Sequence, residues 1–412
     1  MADKQLEEAQ QLDSEYLIQT FGRKPVEFVR GEGVHLYDTE GREYLDFLSG
    51  IGVVSVGHCN PQVTKAIQDQ AGKLLHVSNY YYVEHRGEVA KALATLLAGD
   101  SGEHWRVFFA NSGAEANEGM IKLARLWGKA HLDGAYGIIT AKKSFHGRTL
   151  ATLSATAQDA KQDPFAPLPG GFTSVPLNDI EALEAALDAP MEGENGMTRP
   201  CALMLEVVQG ESGVWPCTEE YLQAARKLTA DRGVLLILDE VQCGLFRCGT
   251  PFAYQGYGVQ PDIVSMAKGI ADGVPMGAFG ARDEIAQMMK PGMHGSTFGG
   301  SPLACAASEA TLSIMSEEGF AEHVLEVGEY LRAKLACLPF ISDVRGRGLM
   351  VGVTLDKPVA GALVMAGLKH GLVLNAPASD IIRLLPPLII EKKDVDTLID
   401  ALPTCYEEAC NA

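Results

Sequence analysis

Two ionisable residues follow directly after short apolar runs, and their chemistry is complementary. Asp239 follows the run at 234–238, and Lys268 follows the run at 262–267. Runs rich in branched aliphatic residues predict strands that are buried on both faces of a parallel sheet. Ligands bind at the carboxyl ends of such strands, so a carboxylate and an amine there can face one ligand. Pyridoxal phosphate needs such a pair, a lysine for its aldehyde and an acidic partner for its ring nitrogen.

Each of these residues also has an ordinary explanation when it is taken alone. An aspartate after a strand often caps the next helix, and a lysine there often extends into solvent. A buried carboxylate without a partner is costly, however, so a cationic ligand beside Asp239 is favoured. Burial and positive neighbours would lower the pKa of Lys268, and its amine could then act as a nucleophile and carry a proton.

A third feature is the turn that joins a predicted strand at 106–109 to a predicted helix. Gly113 and Ala114 stand where this helix begins. The free N–H groups of a helix N-terminus hold phosphate well, although an ordinary strand-to-helix turn would look similar. The chain has no Walker A sequence, and its later glycines lack the dinucleotide-binding spacing. The turn therefore indicates a phosphate site without indicating a nucleotide.

The pattern along the chain predicts the elements that would position these residues. Between about residues 90 and 300, helical patterns alternate with apolar runs, which predicts a mostly parallel α/β sheet. Residues 26–47 predict an antiparallel meander, Asn60 and Pro61 predict a helix start, and 189–200 predict a polar loop. The pattern from residue 302 predicts a second α+β domain. We expect an N-terminal segment at 1–60 that packs with this small domain at 302–412, and a large domain at 61–301.

The composition limits which binding partners and which cellular compartment are expected. The net charge of −19 over 412 residues argues against nucleic acid or an anionic membrane as a partner. No apolar stretch is long enough to span a bilayer, and the polar, acidic first residues resemble neither a signal nor a transit peptide. Nine scattered cysteines suit a reducing cytoplasm. Cys243 and Cys248 lack a second ligand pair, so no metal site is expected.

Several motifs make the chain resemble the class III pyridoxal-phosphate aminotransferases, and within them the acetylornithine aminotransferases. They occur in family order over nearly the whole chain: NSGAEANE, SFHGRT, QGESGV, LDEVQCGLFRCG, DIVSMAKGIADGVPMGA, HGSTFGGSPLACAA and RLLPPLII. The resemblance implies an α/β fold of type I, with a mostly parallel seven-stranded sheet in the large domain. It also implies a homodimer with active sites at the subunit interface. Residues 375–380 depart from the usual form, as does Val207, where proline is common.

The resemblance assigns roles to individual residues. Lys268 and Asp239 would be catalytic, Lys268 holding the cofactor and Asp239 pairing with its ring nitrogen. The remaining cofactor-binding residues would be Gly113 and Ala114 at the phosphate, Phe145 and Val241 on the ring faces, Gln242 near the ring hydroxyl, Glu240, and Thr297 at the phosphate of the neighbouring subunit. The substrate-binding residues would be Arg148, Ser296, Arg383 and Glu211. Glu211 would pair with Arg383 while an amine donor is bound.

The implied activity is a ping-pong transfer of the δ-amino group of N2-acetyl-L-ornithine to 2-oxoglutarate, a step of arginine biosynthesis. Alternatives within the class take ornithine, succinylornithine, succinyldiaminopimelate, acetyllysine or 4-aminobutyrate as the donor. Other relatives decarboxylate or isomerise their substrates. A catalytically silent binding protein with the same fold is the non-enzymatic alternative. The pair Asp239 and Lys268 argues against it, because no structural need places a lysine there.

Overall fold

The computed structural model describes residues 4–194 and 196–412. Its helices are α1 Lys4–Tyr16, α2 Ser49–Gly52, α3 Pro61–Ala71, α4 Arg86–Ala98, α5 Gly113–His131, α6 Leu150–Ala155, α7 Asp159–Gln162, α8 Ile180–Asp188, α9 Glu219–Asp231, α10 Asp283–Ala286, α11 Pro302–Met315, α12 Phe320–Leu335, α13 Ala360–Lys369 and α14 Lys392–Asn411. Its strands are β1 Phe28–Glu32, β2 His35–Asp38, β3 Glu43–Asp46, β4 Trp105–Ala110, β5 Gly137–Ala141, β6 Phe172–Val175, β7 Met191–Gly193, β8 Gly196–Thr198, β9 Pro200–Leu205, β10 Val208–Gln209, β11 Trp215–Pro216, β12 Leu235–Asp239, β13 Ile263–Met266, β14 Gly277–Arg282, β15 Ile341–Arg347, β16 Met350–Leu355, β17 Leu372–Val373, β18 Asn375–Ala378 and β19 Ile381–Leu384.

A seven-stranded sheet forms the centre of the molecule, in the order β4-β14-β13-β12-β9-β5-β6. The pairs β13/β12, β12/β9, β9/β5 and β5/β6 are parallel, whereas β14 is antiparallel to both of its neighbours. The mostly parallel seven-stranded sheet is thus confirmed. In the register of β12 and β13, Asp239 lies opposite Ser265, so the ends of these two strands meet at one edge of the sheet.

Apolar side chains hold helix α5 against this sheet. The helix buries Met120, Ile121 and Leu123, which pack in one cluster with Ile237 and Ile263 of the central strands. Burying such a side chain contributes roughly 1.5–3 kcal/mol each. The packing fixes the N-terminus of α5 beside the carboxyl ends of β12 and β13, where the predicted site lies.

Two smaller sheets flank the central one. Strands β15, β16, β19 and β18 form an antiparallel sheet, and β1, β2 and β3 form the predicted meander. Strand β17, which comes from the last part of the chain, joins this meander by pairing in parallel with β3. The predicted division into 1–60, 61–301 and 302–412 stays a prediction.

Local details of the sequence explain some element boundaries. The side chain of Asn60 accepts a hydrogen bond from the N–H of Gln62, with Pro61 as the first helical residue, which confirms the predicted start of α3. The polar stretch at 189–200 is more regular than predicted, because it contains the hairpin of β7 and β8. Among the described residues, no helix combines the length and the apolarity needed to cross a membrane.

Candidate active site

A cavity of about 380 Å³ opens where β12 and β13 end and α5 begins. It brings together most of the residues that the sequence singled out. The predicted residues that line it are Gly113, Ala114, Phe145, Arg148, Asp239, Val241, Gln242 and Lys268. Positions separated by 155 residues in the chain, from 113 to 268, therefore share one small space.

Asp239 is buried at one wall of this cavity, and several donors converge on its carboxylate. One oxygen accepts hydrogen bonds from Asn117 Nδ2 at 2.7 Å and lies 2.8 Å from His146 Nδ1. The other oxygen accepts from the N–H of Val241 at 3.0 Å and from Ser265 Oγ at 3.4 Å. These contacts fix the orientation of the carboxylate towards a cationic group of a ligand.

His146 and Asp239 interact through a hydrogen bond and through their charges. Burial alone would lower the pKa of His146, but the hydrogen bond and charge of Asp239, together with the charge of Glu206, raise it above its ordinary value. The other ring nitrogen, Nε2, is buried without a hydrogen-bond partner in the described part of the chain. The histidine therefore helps to hold the Asp239 carboxylate in place.

Lys268 lines the same cavity just beyond β13. Its backbone has a φ of 45°, in the left-handed region that costs a non-glycine residue roughly 1–3 kcal/mol. Burial lowers the pKa of Lys268, and the charge of Arg383 lowers it further, whereas Asp239 opposes the change. A lower pKa leaves more of the amine unprotonated, and that form attacks carbonyl carbons.

The N-terminus of α5 forms the cradle that the sequence predicted for a phosphate. Ser112 caps the helix by accepting a hydrogen bond from the N–H of Glu115 at 3.2 Å, so the N–H groups of Gly113 and Ala114 have no partner within the helix. A Cβ atom at Gly113 would lie 2.7 Å from Val241 Cγ1. Only glycine fits there without displacing the valine.

The two arginines that the sequence predicts to bind substrate occupy different environments. Arg148 is exposed at the cavity wall, with its guanidinium carbon 5.6 Å from the centre of the Phe145 ring. Arg383 is 4% exposed and donates to Asn375 Oδ1 from Nε at 3.1 Å and from Nη2 at 2.9 Å. Burial lowers the pKa of Arg383, although the charges of Glu211 and Glu206 oppose this. Arg383 reaches the cavity through Gln242, whose Oε1 accepts from Nη1 at 3.2 Å.

Glu211 has partners other than the arginine that the sequence suggested. Its Oε1 lies 2.9 Å from Lys161 Nζ, and its Oε2 accepts from Gln158 Nε2 at 2.9 Å. Burial raises the pKa of Glu211, but the hydrogen bonds from Lys161 and Gln158 outweigh burial and lower it overall. In the described structure Glu211 influences Arg383 through charge at a distance and does not pair with it.

Five of the predicted residues do not line the cavity within this chain: Arg383 and Glu211, described above, and Glu240, Thr297 and Ser296. The carboxylate of Glu240 accepts hydrogen bonds from the N–H groups of Ala253 and Tyr254, at 2.8 and 2.9 Å, and so supports the backbone there. Thr297 is exposed. Ser296 lies beside the cavity, because its Oγ accepts from Nδ2 of the lining residue Asn111 at 3.1 Å.

Among the lining residues that were not predicted as site residues, Asn117 and Glu206 make hydrogen bonds that shape the site. Asn117 is four residues after Gly113, and helical spacing alone places it on the same face, one turn deeper. Glu206 accepts hydrogen bonds from the N–H groups of Phe145 at 3.0 Å and Gly210 at 3.3 Å, which ties two site loops together. Burial raises the pKa of Glu206 to about 7. No local pattern in the sequence distinguishes this glutamate from others.

The cavity fits pyridoxal phosphate in each of its parts. It offers free N–H groups at a helix N-terminus for a phosphate and a fixed, buried carboxylate for a cationic ring nitrogen. It also offers an amine of lowered pKa, together with an aromatic and an aliphatic wall. Gly113 keeps open the space that a side chain would fill. The protein is therefore built as an enzyme that works with this cofactor.

Comparison with known proteins identifies the class. The family model for class-III aminotransferases matches residues 19–405, so the chain belongs to that family and is a pyridoxal-phosphate-dependent transaminase. Two relatives named acetylornithine aminotransferase are each 45% identical to it. The one from Caldanaerobacter subterraneus subsp. tengcongensis aligns over 96% of this chain and 98% of its own length. The one from Methanocaldococcus jannaschii aligns over 96% and 97%.

Solved structures agree with this assignment. The acetylornithine aminotransferase of Elizabethkingia anophelis has a TM-score of 0.85 and 35% identity, over 98% of this chain and 99% of its own. The ornithine aminotransferase of Toxoplasma gondii has a TM-score of 0.89 and 31% identity, over 98% and 96%. The two structures share the fold but differ in the amine donor that their names state.

Proposed function

We propose that the chain is an acetylornithine aminotransferase. It transfers the δ-amino group of N2-acetyl-L-ornithine to 2-oxoglutarate and yields N-acetylglutamate 5-semialdehyde and glutamate, in arginine biosynthesis. The observation that carries this proposal is the 43–45% identity, over most of the chain, to relatives named for that activity in bacteria and archaea. The cavity supports the transaminase chemistry through Lys268 and Asp239, which line it together.

The residues of the chain divide the work of the reaction. When bound, pyridoxal phosphate supplies a carbonyl group that exchanges with an amine and a ring that withdraws electrons. The Lys268 amine holds the cofactor and, once released, moves a proton to or from the reacting carbon of the substrate. Asp239 would accept a hydrogen bond from the ring nitrogen of the bound cofactor. Gly113 and Ala114 hold the phosphate through their N–H groups.

Side chains on the cavity walls orient the ring and the substrate. Phe145 and Val241 would pack against the faces of the bound ring, and Gln242 would lie near its hydroxyl group. The two arginines bind substrate carboxylates, because a guanidinium presents two parallel donors to two oxygens. Arg148 is accessible to an incoming substrate, and Arg383 receives the α-carboxylate of 2-oxoglutarate or glutamate.

We infer further that the protein is a homodimer whose active sites lie at the subunit interface. Large aromatic side chains are exposed on one chain: Tyr80 is 93% exposed, Tyr82 105% and Phe298 62%. Exposed apolar surface of this kind marks interaction sites. Ser296 and Thr297 directly precede Phe298, so a second chain that covers this surface would lie against Thr297, which the resemblance places at the phosphate of the neighbouring subunit. We place the dimer in the cytoplasm, which suits the nine unpaired cysteines.

A half-reaction screen tests the proposed donor. Purified holoenzyme is mixed with each amine in turn, and the visible spectrum of the cofactor is followed until the amino group has been transferred to it. Acetylornithine should react faster than ornithine, succinylornithine or 4-aminobutyrate. An equal or faster reaction with 4-aminobutyrate or free ornithine would refute the donor assignment.

A lysine substitution separates an enzyme from a silent binding protein. The Lys268→Ala variant should lose the yellow, covalently held cofactor spectrum and the transfer, whereas Lys227→Met on α9 should keep both. Lys227 is an exposed lysine paired with Asp231 and lies outside the site. An unchanged spectrum and unchanged transfer in Lys268→Ala would contradict the role of Lys268.

A further inference from the structure

Arg383 is a buried cation that is held by neutral groups. Its guanidinium donates to the side chains of Asn375 and Gln242 and, from Nη1, to the carbonyl of Gly210 at 3.1 Å. None of these partners carries a negative charge. A buried cation without an anion is costly, so the site favours an anionic ligand at Arg383.

Glu211 is the nearby carboxylate that could neutralise this cation. It directly follows Gly210, whose backbone already touches the guanidinium. The charges of Glu211 and Arg383 already influence each other's pKa, and the Glu211 side chain would approach the guanidinium by changing its rotamer. If it did so, it would compete with a substrate carboxylate for the same donors.

A small cluster, which we call the Glu211 latch, keeps this carboxylate elsewhere. It consists of Glu211, Lys161 and Gln158. Both oxygens of Glu211 are engaged, by Lys161 Nζ at 2.9 Å and by Gln158 Nε2 at 2.9 Å. Lys161 also contacts Gln158 Oε1, so each member touches the other two.

The latch is partly buried and attached to the active site. The side chains of Lys161 and Glu211 are 20% and 33% exposed, so solvent screens their pairing less than that of a typical surface pair. Gln158 also donates to the carbonyl of Ser144 at 2.9 Å, immediately before Phe145 at the cavity wall. The latch is thus anchored to the loop that forms one side of the site.

We propose that Lys161 is a positioning residue that determines acceptor specificity, because it holds Glu211 away from Arg383 and keeps the guanidinium available to a dicarboxylate. This proposal rests on the proposed function, in which Arg383 binds the α-carboxylate of the acceptor. Without Lys161, Glu211 turns to Arg383 and competes with that carboxylate. The site then binds the dicarboxylate acceptor less tightly, while a donor that needs no free Arg383 does not suffer this competition.

The test measures binding and not turnover. Glutarate, a dicarboxylate that cannot accept an amino group, is titrated into holoenzyme by calorimetry. Because an exposed or partly exposed ion pair contributes up to about 1 kcal/mol, the dissociation constant should rise roughly fivefold in Lys161→Met. Lys161→Arg should bind glutarate like the unmodified protein. The matched control is Lys227→Met, which removes the same charge and another lysine–carboxylate pair outside the site.

A double variant shows whether the effect runs through Glu211. Glu211→Ala removes the competitor and should bind glutarate at least as tightly as the unmodified protein. Adding Lys161→Met to Glu211→Ala should then cause no further loss. A steady-state assay should show the same pattern as a raised KM for 2-oxoglutarate in Lys161→Met that disappears in the double variant.

Three results with the variants would overturn the proposal. They are unchanged glutarate binding in Lys161→Met, a loss that persists in the double variant, and weaker binding in Glu211→Ala. Absence of glutarate binding to the unmodified holoenzyme would also overturn it, because Arg383 would then not be a carboxylate site. Glutarate binding does not depend on the amine donor, so a failed acetylornithine screen would refute the proposed function and leave the Lys161 result interpretable.

Discussion

Replacing Gly113 by alanine should weaken cofactor binding far more than it weakens the fold. The added Cβ atom would lie 2.7 Å from Val241 Cγ1 and 3.0 Å from Cγ2. Carbon atoms pack best at about 3.5–4.0 Å, so the valine must move by several tenths of an ångström or more. Without cofactor, it can move into the open cavity at little cost. With cofactor, that space is filled.

The expected size of the effect follows from the cost of overpacking. Forcing an extra methyl group into a packed site costs roughly 1–3 kcal/mol, which corresponds to a roughly 5- to 150-fold weaker dissociation constant. The steric clash can be relieved only if Val241 moves, and the N–H of Val241 donates a hydrogen bond to Asp239 at 3.0 Å. Moving this valine therefore disturbs both a ring face and the carboxylate.

The assay is a titration of apoenzyme with pyridoxal phosphate, followed by the absorbance of the bound cofactor. Gly361→Ala in α13 is the matched control, because a Cβ atom there meets nothing within 4 Å. The control should keep the dissociation constant and gain roughly 0.5–1 kcal/mol of stability. Adding Val241→Ala to Gly113→Ala should recover part of the lost affinity. A Gly113→Ala protein that binds the cofactor as tightly as the unmodified one would refute this account of the cradle.

Three further changes test the interior of the site and the fold. Asn117→Ala removes a donor from buried Asp239 and should weaken cofactor binding and lower the free energy of unfolding of the holoenzyme by about 1.5–3 kcal/mol. Unchanged thermal and chemical unfolding would contradict this. Burial raises the pKa of Glu240 from 4.5 to about 7, so its protonated form is the stable one in the fold. The stability that protonated Glu240 contributes is therefore fully present below pH 4.5 and is lost as the pH rises through 7. Over this pH range, the free energy of unfolding should fall by about 3 kcal/mol less in the Glu240→Gln variant than in the unmodified protein. Equal pH slopes in urea unfolding would show that Glu240 is not perturbed. Tyr254→Phe removes a 2.6 Å hydrogen bond to the Leu97 carbonyl and should cost about 1 kcal/mol without changing cofactor affinity.

The sequence could predict the parts of the site that depend on local pattern. Asp239 and Lys268 follow buried strands of one parallel sheet, and the carboxyl ends of such strands meet at one edge. Gly113 and Ala114 open a helix directly after a strand. In each case a few neighbouring residues determine the position, so periodicity and turn chemistry were sufficient.

Contacts between distant segments could not be predicted in this way. Glu240 adjoins Asp239, yet its carboxylate meets the N–H groups of Ala253 and Tyr254, and that depends on how the intervening chain turns back. Arg383 comes close to Gly210 because β19 of a separate sheet lies against the site. Likewise, no pattern indicates that Glu211 meets Lys161.

The hydrogen-bond partners of Arg383 and Glu211 explain which of the two charged groups remains available to a ligand. Arg383 is bound by an asparagine, a glutamine and a carbonyl, which orient the guanidinium without neutralising it. Glu211 is bound by a lysine, so its charge is already matched. A cation held by neutral groups keeps its attraction for a carboxylate, whereas a carboxylate held by a cation loses most of its attraction for a second cation. Under the proposed function, this difference in partners leaves Arg383 available to a substrate carboxylate and holds Glu211 away from it, although Glu211 directly follows the residue whose backbone Arg383 touches.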